Sequence, residues 1–230
     1  MPKLVCGLLL SVVFTALSSA VMASDPLAQA LARAAPKAKA KVIALAVQAA
    51  RCADARDGVS TSRLAVIDYS KPSTKPRLWV FDLASRRLMF EELVAHGRNS
   101  GDNYARHFSN QPDSLTSSLG LFRTRDTYEG QNGYSLRLAG LEPGTNDQAE
   151  SRAIVMHGAP YVNTRFFKTT GRLGRSHGCP AVRTEIAQSL IDDLKDGQYL
   201  FAYYPDRAWL KTSSYLSCKA SAAPTRVSAR

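Results

Sequence analysis

The chain has 230 residues, of which 45% are hydrophobic and 21% are charged, and its formal net charge is +11 at pH 7. This length suits one well-sized core, and this composition excludes a chain that is disordered throughout. The positive charge favours a polyanionic or carboxylate-rich partner, although a basic surface that only aids solubility is an equal alternative. The sequence shows no aromatic-rich RNA motif, no zinc-finger spacing and no basic helix, so we expect no nucleic-acid partner.

The first residues have the pattern of an export signal. Lys3 supplies a positive charge, residues 4–17 are apolar and uncharged, and residues 21–23 form a small-residue cleavage site. The apolar run is shorter than the roughly 20 residues of a membrane span. We therefore predict that residues 1–23 are a removable signal peptide, which leaves no stable membrane insertion; an uncleaved anchor is the alternative.

Residues 24–58 are predicted to form an N-terminal helical arm. Apolar residues recur there at three- and four-residue steps from Leu27 to Cys52, which places them on one helix face. Pro36 interrupts this pattern and is predicted to start a second helix within its first turn. Asp57-Gly58 is predicted to end that helix.

Residues 59–218 are predicted to form one mainly β domain, followed by a tail at 219–230. Thr184 is typical of a helix N-cap, and Gly197 is expected to end that helix. The fold class is therefore α+β and mainly β, with one or two short helices besides the arm. Strands are predicted where β-branched and aromatic residues lie between turn-forming residues, at 64–69, 78–83, 88–95, 119–124, 134–138, 153–157 and 199–204.

Three cysteines remain after the signal peptide, in which Cys6 lies. An odd number of cysteines in an exported protein leaves one thiol over or pairs it between chains. Cys52 and Cys218 lie near the two ends of the domain, whereas Cys179 lies within a His-Gly-Cys run. We predict a Cys52–Cys218 disulfide and a free Cys179, with two buried unpaired thiols at 52 and 218 as the alternative.

The candidate chemistry lies between residues 157 and 180. A cysteine thiol becomes a nucleophile as its thiolate, which requires a nearby imidazole or a positive electrostatic end. Cys179 is the candidate nucleophile, and either His157 or His177 is its candidate base. His157 ends an apolar strand, whereas His177 is only two residues from Cys179 on a tight turn, so His157 is favoured.

Glycine and proline surround the candidate nucleophile. Gly178 lets the chain approach a substrate closely, and the N–H groups of Gly178 and Cys179 are natural donors to an oxyanion. Pro180 could open a short helix whose N-terminus favours the thiolate. A structural thiol with a core and a loop histidine is one alternative. Another is a metal site of His157, His177 and Cys179, but paired ligand spacing is lacking, so no metal is predicted.

The run Ser176-His177-Gly178-Cys179, preceded by a strand-borne His157-Gly158, resembles the signature of the YkuD-type L,D-transpeptidases of bacterial cell walls. The resemblance extends over residues 62–205, and residues 171–182 are similar to the subgroup of murein L,D-transpeptidase catalytic domain proteins. It implies a β-sandwich or barrel catalytic domain, a location in the periplasm or cell wall, peptidoglycan stem peptides as partners, and no cofactor.

The resemblance also implies roles for individual residues. Cys179 would attack the carbonyl between an L-centre and the terminal D-Ala of a tetrapeptide stem. His157 would take the thiol proton, oriented by the carbonyl of Gly158, while His177, Gly178 and Cys179 would line the oxyanion site. An acceptor amine would then resolve the thioester into a 3–3 cross-link. Water as acceptor would instead give a carboxypeptidase or endopeptidase, and an inactive site would leave a wall-binding protein.

Two features depart from the family pattern. The spacer between His157 and Ser176 has 18 residues, slightly more than is usual. Ala181 stands where many members carry Asn or Arg, so another group must bind any substrate carboxylate. The predicted substrate-binding residues are Ser176 and three arginines, for which a solvated side chain is the alternative: Arg172, Arg175 and Arg183.

Overall fold

The structure is a computed structural model, and it describes residues 25–218. The predicted signal peptide at 1–23 and the predicted tail at 219–230 lie outside the described residues. The elements follow in chain order: α1 (Pro26–Ala34), α2 (Ala40–Asp57), β1 (Arg63–Asp68), β2 (Leu78–Asp82), β3 (Arg87–Glu92), β4 (Gly120–Gly130), β5 (Gly133–Gly140), β6 (Val155–Gly158), α3 (Thr164–Thr170), β7 (Ala181–Val182), α4 (Thr184–Leu194), β8 (Tyr199–Tyr203) and α5 (Arg207–Thr212).

The N-terminal arm is a pair of helices with clear stop signals. The carboxylate of Asp25 caps α1 by accepting a hydrogen bond from the N–H of Leu27, at 2.8 Å. Gly58 ends α2 in the left-handed conformation, with φ of 65°. The prediction that Pro36 starts the second helix is wrong. Pro36 lies in the turn between α1 and α2, where the Ala35 carbonyl accepts from the Ala38 N–H at 2.9 Å, and α2 begins only at Ala40.

The eight strands found between residues 25 and 218 form one mixed sheet in the order β3-β2-β1-β8-β4-β5-β6-β7. Neighbouring strands are antiparallel except for two parallel pairs, β1 with β8 and β6 with β7. The sheet is nearly barrel-like and few helices accompany it, so the predicted class, mainly β with some helices, is confirmed. β8, the last strand within residues 25–218, lies between β1 and β4 in the middle of the sheet.

Some segments differ from the predictions. β4 extends to Gly130 because its distal half forms a hairpin with β5, where an irregular register between Thr124 and Thr127 obscures the alternation of apolar residues. The sequence reading missed α3 and α5. Asn163 caps α3 and Gly171 ends it, so this helix occupies the long spacer between the two halves of the candidate site. Asp206 caps α5.

Most of the buried apolar residues form one main core between the helices and the sheet, and a smaller separate cluster, against which Phe167 of α3 packs, consists of Leu93, Ala95, Ala159, Val162, Leu173 and Ala181. α2 packs on β1, β8 and β4, whereas α4 packs on β6, β5 and β1. The aromatic side chains of Trp79, Phe81 and Phe122 are buried in the main core. No helix within residues 25–218 combines the length and apolarity that a bilayer crossing requires.

A disulfide joins the helical arm to the far end of the described chain. Cys52 lies in α2 and Cys218 follows α5, with their Cα atoms 5.8 Å apart and a sequence separation of 166. Cys179 is a free, buried cysteine. The pairing that the sequence suggested is therefore the one that this structure contains.

Candidate active site

His157 lies on the short strand β6, between β5 and β7, and is buried. Its Nδ1 atom is 2.9 Å from the carbonyl oxygen of Gly158. Because a carbonyl oxygen only accepts hydrogen bonds, Nδ1 carries the hydrogen and Nε2 has a free lone pair. Burial lowers the pKa of His157, and the Gly158 carbonyl opposes that effect. The imidazole is therefore neutral near pH 7, the form in which it accepts a proton.

Gly158 allows α4 to approach β6 closely. A Cβ atom at Gly158 would lie 2.9 Å from the Cβ of Ala187 and 3.3 Å from the Cα of Thr184. Distances this short leave no room for a side chain without a shift of the helix. The glycine after His157 therefore sets how close α4 comes to the imidazole-bearing strand.

Ser176 closes the turn that carries the cysteine. Its Oγ donates to the carbonyl of Cys179 at 2.7 Å and accepts from the N–H of Gly178 at 3.1 Å. The backbone of Ser176 is held in turn by a neighbouring segment, because its N–H donates to the His96 carbonyl and its carbonyl accepts from the Arg98 N–H. Ser176 thus orders the turn, and the Gly178 N–H, a predicted oxyanion donor, is bonded to it in this structure.

Gly178 adopts a backbone conformation that favours glycine, with φ of +131°. A Cβ atom there would lie 2.7 Å from both the Thr116 carbonyl oxygen and the Cδ1 of Ile154. The Gly178 carbonyl accepts from Oγ of Ser117 at 2.9 Å. The residue before Cys179 is therefore fixed between the 114–118 segment and the start of β6.

The Cys179 thiol contacts backbone groups just before and within β6. Sγ accepts from the N–H of Val155 at 3.5 Å and donates to the carbonyl of Ala153 at 3.6 Å. Burial raises the pKa of Cys179, while the Val155 N–H and the charge of Arg152 oppose that rise. Among the described residues, no hydrogen bond joins Sγ to His157. The thiol therefore lies beside the strand that carries His157 and contacts its backbone.

Two open pockets meet at Ala153, whose carbonyl receives the thiol. One pocket, of about 270 Å³, is lined by the exposed His177 together with Arg152 and Ala153. The other pocket, of about 280 Å³, is lined by residues that include Ala153, Val155 and Tyr128. Across residues 25–218, no three His, Cys, Asp or Glu side chains are grouped closely enough to hold a metal ion.

Each of the three predicted substrate-binding arginines has a partner within the protein. Arg183 forms a bidentate pair with Glu92, at 2.8 and 2.7 Å. Arg175 donates to the carboxylate of Asp102 at 2.9 Å and to two backbone carbonyls. Arg172 is held less firmly, with its Nε 3.6 Å from Asp102. The role of these arginines in substrate binding stays a prediction.

The expectation of a helix at Pro180 is wrong. Ala181 and Val182 form β7, whose carbonyls accept from the N–H groups of Ala95 and Ala159 at 2.8 and 2.9 Å. These bonds require an extended backbone, so α4 begins only at Thr184. Thr184 was the predicted N-cap, but Arg183 occupies the N-cap position and Thr184 is the first residue of the helix. The side chain of Ala181 is fully buried.

A buried polar group behind the turn escaped the sequence analysis. Arg77 is fully buried, and its guanidinium donates to Nδ1 of His96 at 2.7 Å. Because arginine only donates, the hydrogen of this imidazole lies on Nε2, which donates to the Gly101 carbonyl at 3.2 Å. Burial, helped by the nearby Arg77 charge, lowers the pKa of His96 to about 3. The carbonyl that accepts from the Ser176 N–H therefore belongs to a neutral histidine, both of whose ring nitrogens are hydrogen-bonded.

Comparisons with known proteins agree on one family. The model of the L,D-transpeptidase catalytic domain matches residues 34–203. No curated protein shows significant similarity to the chain.

Three solved structures illustrate the structural likeness. An L,D-transpeptidase from Mycobacterium smegmatis is 12% identical, with a TM-score of 0.39 over 64% of this chain and 60% of that chain. L,D-transpeptidase 1 from Mycobacterium tuberculosis is 12% identical, with a TM-score of 0.35 over 64% and 63%. An L,D-transpeptidase from Stackebrandtia nassauensis is 14% identical, with a TM-score of 0.37 over 77% and 76%. The chain spans about 60% of the length of the first of these proteins. Because the family model covers most of the chain, the protein belongs to the L,D-transpeptidase catalytic domain family.

Proposed function

We propose that this protein is a cysteine acyltransferase that forms 3–3 cross-links between peptidoglycan stem peptides through a thioester on Cys179. One observation carries the proposal: the Gly158 carbonyl binds Nδ1 of a buried, neutral His157, which leaves Nε2 free to accept a proton. The only free thiol within residues 25–218 lies beside the same strand. A histidine base and a cysteine nucleophile are the two groups that acyl transfer requires.

Acylation begins with the thiol leaving its resting contacts. Sγ turns from the Ala153 carbonyl toward Nε2 of His157, which takes the proton as the sulfur attacks the carbonyl before the terminal D-Ala of the donor stem. The C–N bond then breaks, and the imidazolium returns the proton to the leaving D-Ala amine. The acyl group remains on Cys179 as a thioester.

Deacylation repeats this chemistry with an amine. The acceptor amine of a second stem attacks the thioester carbonyl, His157 accepts the amine proton, and Sγ leaves as a thiolate that is then reprotonated. In both halves of the reaction, His177, Gly178 and Cys179 would line the site of the developing oxyanion. In the present conformation the Gly178 N–H donates to Oγ of Ser176, so it would have to turn from the serine to reach the oxyanion.

The location and partners follow from the same proposal. Residues 1–23 act as an export signal, and the enzyme works in the periplasm or cell wall on stem peptides. The net charge of +11 favours approach to a carboxylate-rich polymer. No cofactor takes part, because nucleophile, base and oxyanion donors all come from the chain.

The test is a reaction of the purified full chain with disaccharide-tetrapeptide, followed by mass spectrometry. We expect a 3–3 linked dimer and release of D-Ala, both absent in Cys179→Ala, whose fold is checked by thermal melting. Tripeptide without dimer would show that water is the acceptor and would overturn the transfer reaction. Product formation by Cys179→Ala would overturn the mechanism.

A further inference from the structure

Arg152 lies one residue before Ala153, whose carbonyl receives the Cys179 thiol. Its guanidinium is partly buried against the 109–118 segment and makes four hydrogen bonds there. They run to the carbonyl of Ser109 at 2.7 Å, Oγ of Ser118 at 2.6 Å, Oγ of Ser114 at 3.1 Å and the carbonyl of Thr116 at 2.7 Å.

These bonds use both hydrogens of Nη1 and both of Nη2, so the planar fork has no terminal donor left for a substrate carboxylate. All four acceptors are neutral. Among the ion pairs within residues 25–218, none includes Arg152. The guanidinium is therefore held firmly while its charge has no carboxylate partner, and arginine does not lose its proton in proteins.

The acceptors of Arg152 connect it to the turn that carries the nucleophile. The Thr116 carbonyl lies against Gly178, where a Cβ atom would approach its oxygen to 2.7 Å. Ser117, the next residue, donates from Oγ to the Gly178 carbonyl at 2.9 Å. The guanidinium thus stabilises the position of Gly178 through the 114–118 segment. Arg152 is also the residue directly before Ala153 in the chain.

The charge of Arg152 opposes the rise that burial causes in the pKa of Cys179, and the phenols of Tyr69 and Tyr161 also interact electrostatically with this thiol. Burial raises the pKa of Tyr69 and raises that of Tyr161 to about 12, so both phenols are uncharged near pH 7. His157 is neutral there as well. Arg152 is therefore the member of this group that carries a charge when the thiol gives up its proton.

We propose that Arg152 is a positioning residue for Cys179, which braces the turn at Gly178 and whose uncompensated positive charge favours the thiolate. The inference rests on the proposed function only in taking Cys179 as the reactive thiol. The positive charge acts against the burial that disfavours a thiolate, and it does so without binding the substrate.

The experiment measures the rate at which iodoacetamide alkylates Cys179 in the full chain from pH 6 to beyond pH 11, so that the midpoints of wild type and variants are both covered, with the Cys179 peptide quantified by mass spectrometry. Arg152→Gln and Arg152→Met both remove the positive charge. Glutamine keeps an amide group with two hydrogens that can donate to the carbonyls of Ser109 and Thr116. We expect both to slow alkylation at pH 7 about tenfold and to move the rate midpoint up by about one pH unit. Arg152→Lys should stay within about twofold of wild type at pH 7.

Arg125→Met is the matched control. Arg125 is exposed, its Nε lies 3.9 Å from Oε1 of Glu150, and it donates no hydrogen bond to the 109–118 segment. It should leave the midpoint unchanged. An unchanged midpoint in a folded Arg152→Gln or Arg152→Met protein would overturn the proposal, as would an equal shift in Arg152→Lys. Because alkylation needs no stem peptide, this result is independent of whether cross-linking is found.

Discussion

Nδ1 of His157 lies 2.9 Å from the carbonyl oxygen of Gly158, the next residue in the chain. The imidazole is therefore oriented by its own strand and not by a carboxylate. A carboxylate partner would stabilise the imidazolium and raise the pKa, whereas here burial is the larger influence and lowers it. The Gly158 carbonyl thus orients the imidazole, and burial on the same strand keeps it neutral, so that it can accept a proton.

The first prediction concerns the acid side of the pH profile. Protonated His157 cannot accept the thiol proton, so activity is absent below its pKa and appears as pH rises through it. Because that pKa is lowered from 6.5, the rate of D-Ala release should rise with a midpoint below 6.5. Steady-state rates between pH 4 and 8 measure this midpoint. His107→Gln, at an exposed histidine, should leave the midpoint unchanged, and a wild-type midpoint above 6.5 would contradict the assignment of His157 as a buried neutral base.

The second prediction concerns Gly178. Gly178→Ala places a methyl group 2.7 Å from the Thr116 carbonyl oxygen in a conformation with φ of +131°. We expect a loss of about 2–4 kcal/mol in the free energy of unfolding and at least a tenfold loss of activity, because the turn must shift. Urea unfolding and product assays measure the two effects.

Gly133→Ala is the control for the second prediction. Gly133 also has positive φ, +71°, but no atom lies within 4 Å of the position of its Cβ. It should cost only the backbone strain of roughly 1–2 kcal/mol and should leave activity intact. If Gly178→Ala behaved like Gly133→Ala, the close contact with Thr116 would have no energetic importance.

The third prediction concerns the disulfide. A cross-link across 166 residues stabilises the fold by roughly 5 kcal/mol in chain-entropy models, and measured gains are often smaller. Reduction, or Cys52→Ala with Cys218→Ala, should therefore lower the urea midpoint clearly. Cys179→Ser should unfold as wild type does and respond to reductant in the same way. Peptide mapping without reductant should recover Cys52 joined to Cys218, and Cys179 in that bridge would contradict the pairing.

The fourth prediction separates two roles for Arg183. Its bidentate bond with Glu92 links the start of α4 to the end of β3. A double-mutant cycle with Arg183→Met and Glu92→Gln should give a coupling free energy of about 1 kcal/mol, since the pair is only partly exposed. The KM for stem peptide should change little. A raised KM with unchanged stability would instead support the predicted contact with substrate.

Much of the candidate site is visible in the sequence because its signals are local. The His-Gly pair ends an apolar strand, and the Ser-His-Gly-Cys run places serine, glycine and cysteine in one turn, so neighbouring residues suffice to suggest their chemistry. The bond between Nδ1 of His157 and Gly158 is equally local. The disulfide was predictable by a different route, since three cysteines allowed only one pairing that left the His-Gly-Cys thiol free.

The parts that the sequence did not reveal depend on contacts between distant segments. In the sequence, nothing distinguishes Arg152 from the other basic residues of this chain. The four groups that accept its hydrogen bonds lie 34 to 43 residues away along the chain. Arg77 lies just before an apolar strand, and nothing near it indicates full burial against His96. The extended backbone at Ala181 likewise results from bonds to Ala95 and Ala159, which override the local tendency of proline to begin a helix.

The position of β8 in the sheet has a consequence for biosynthesis. β1 and β4 each hydrogen-bond to β8, which is the last strand to be made within residues 25–218. Until residue 203 has emerged, a nascent chain holds two unpaired strand edges and cannot close its sheet. Under the proposed export through residues 1–23, this order would keep the sheet open during passage through the export channel.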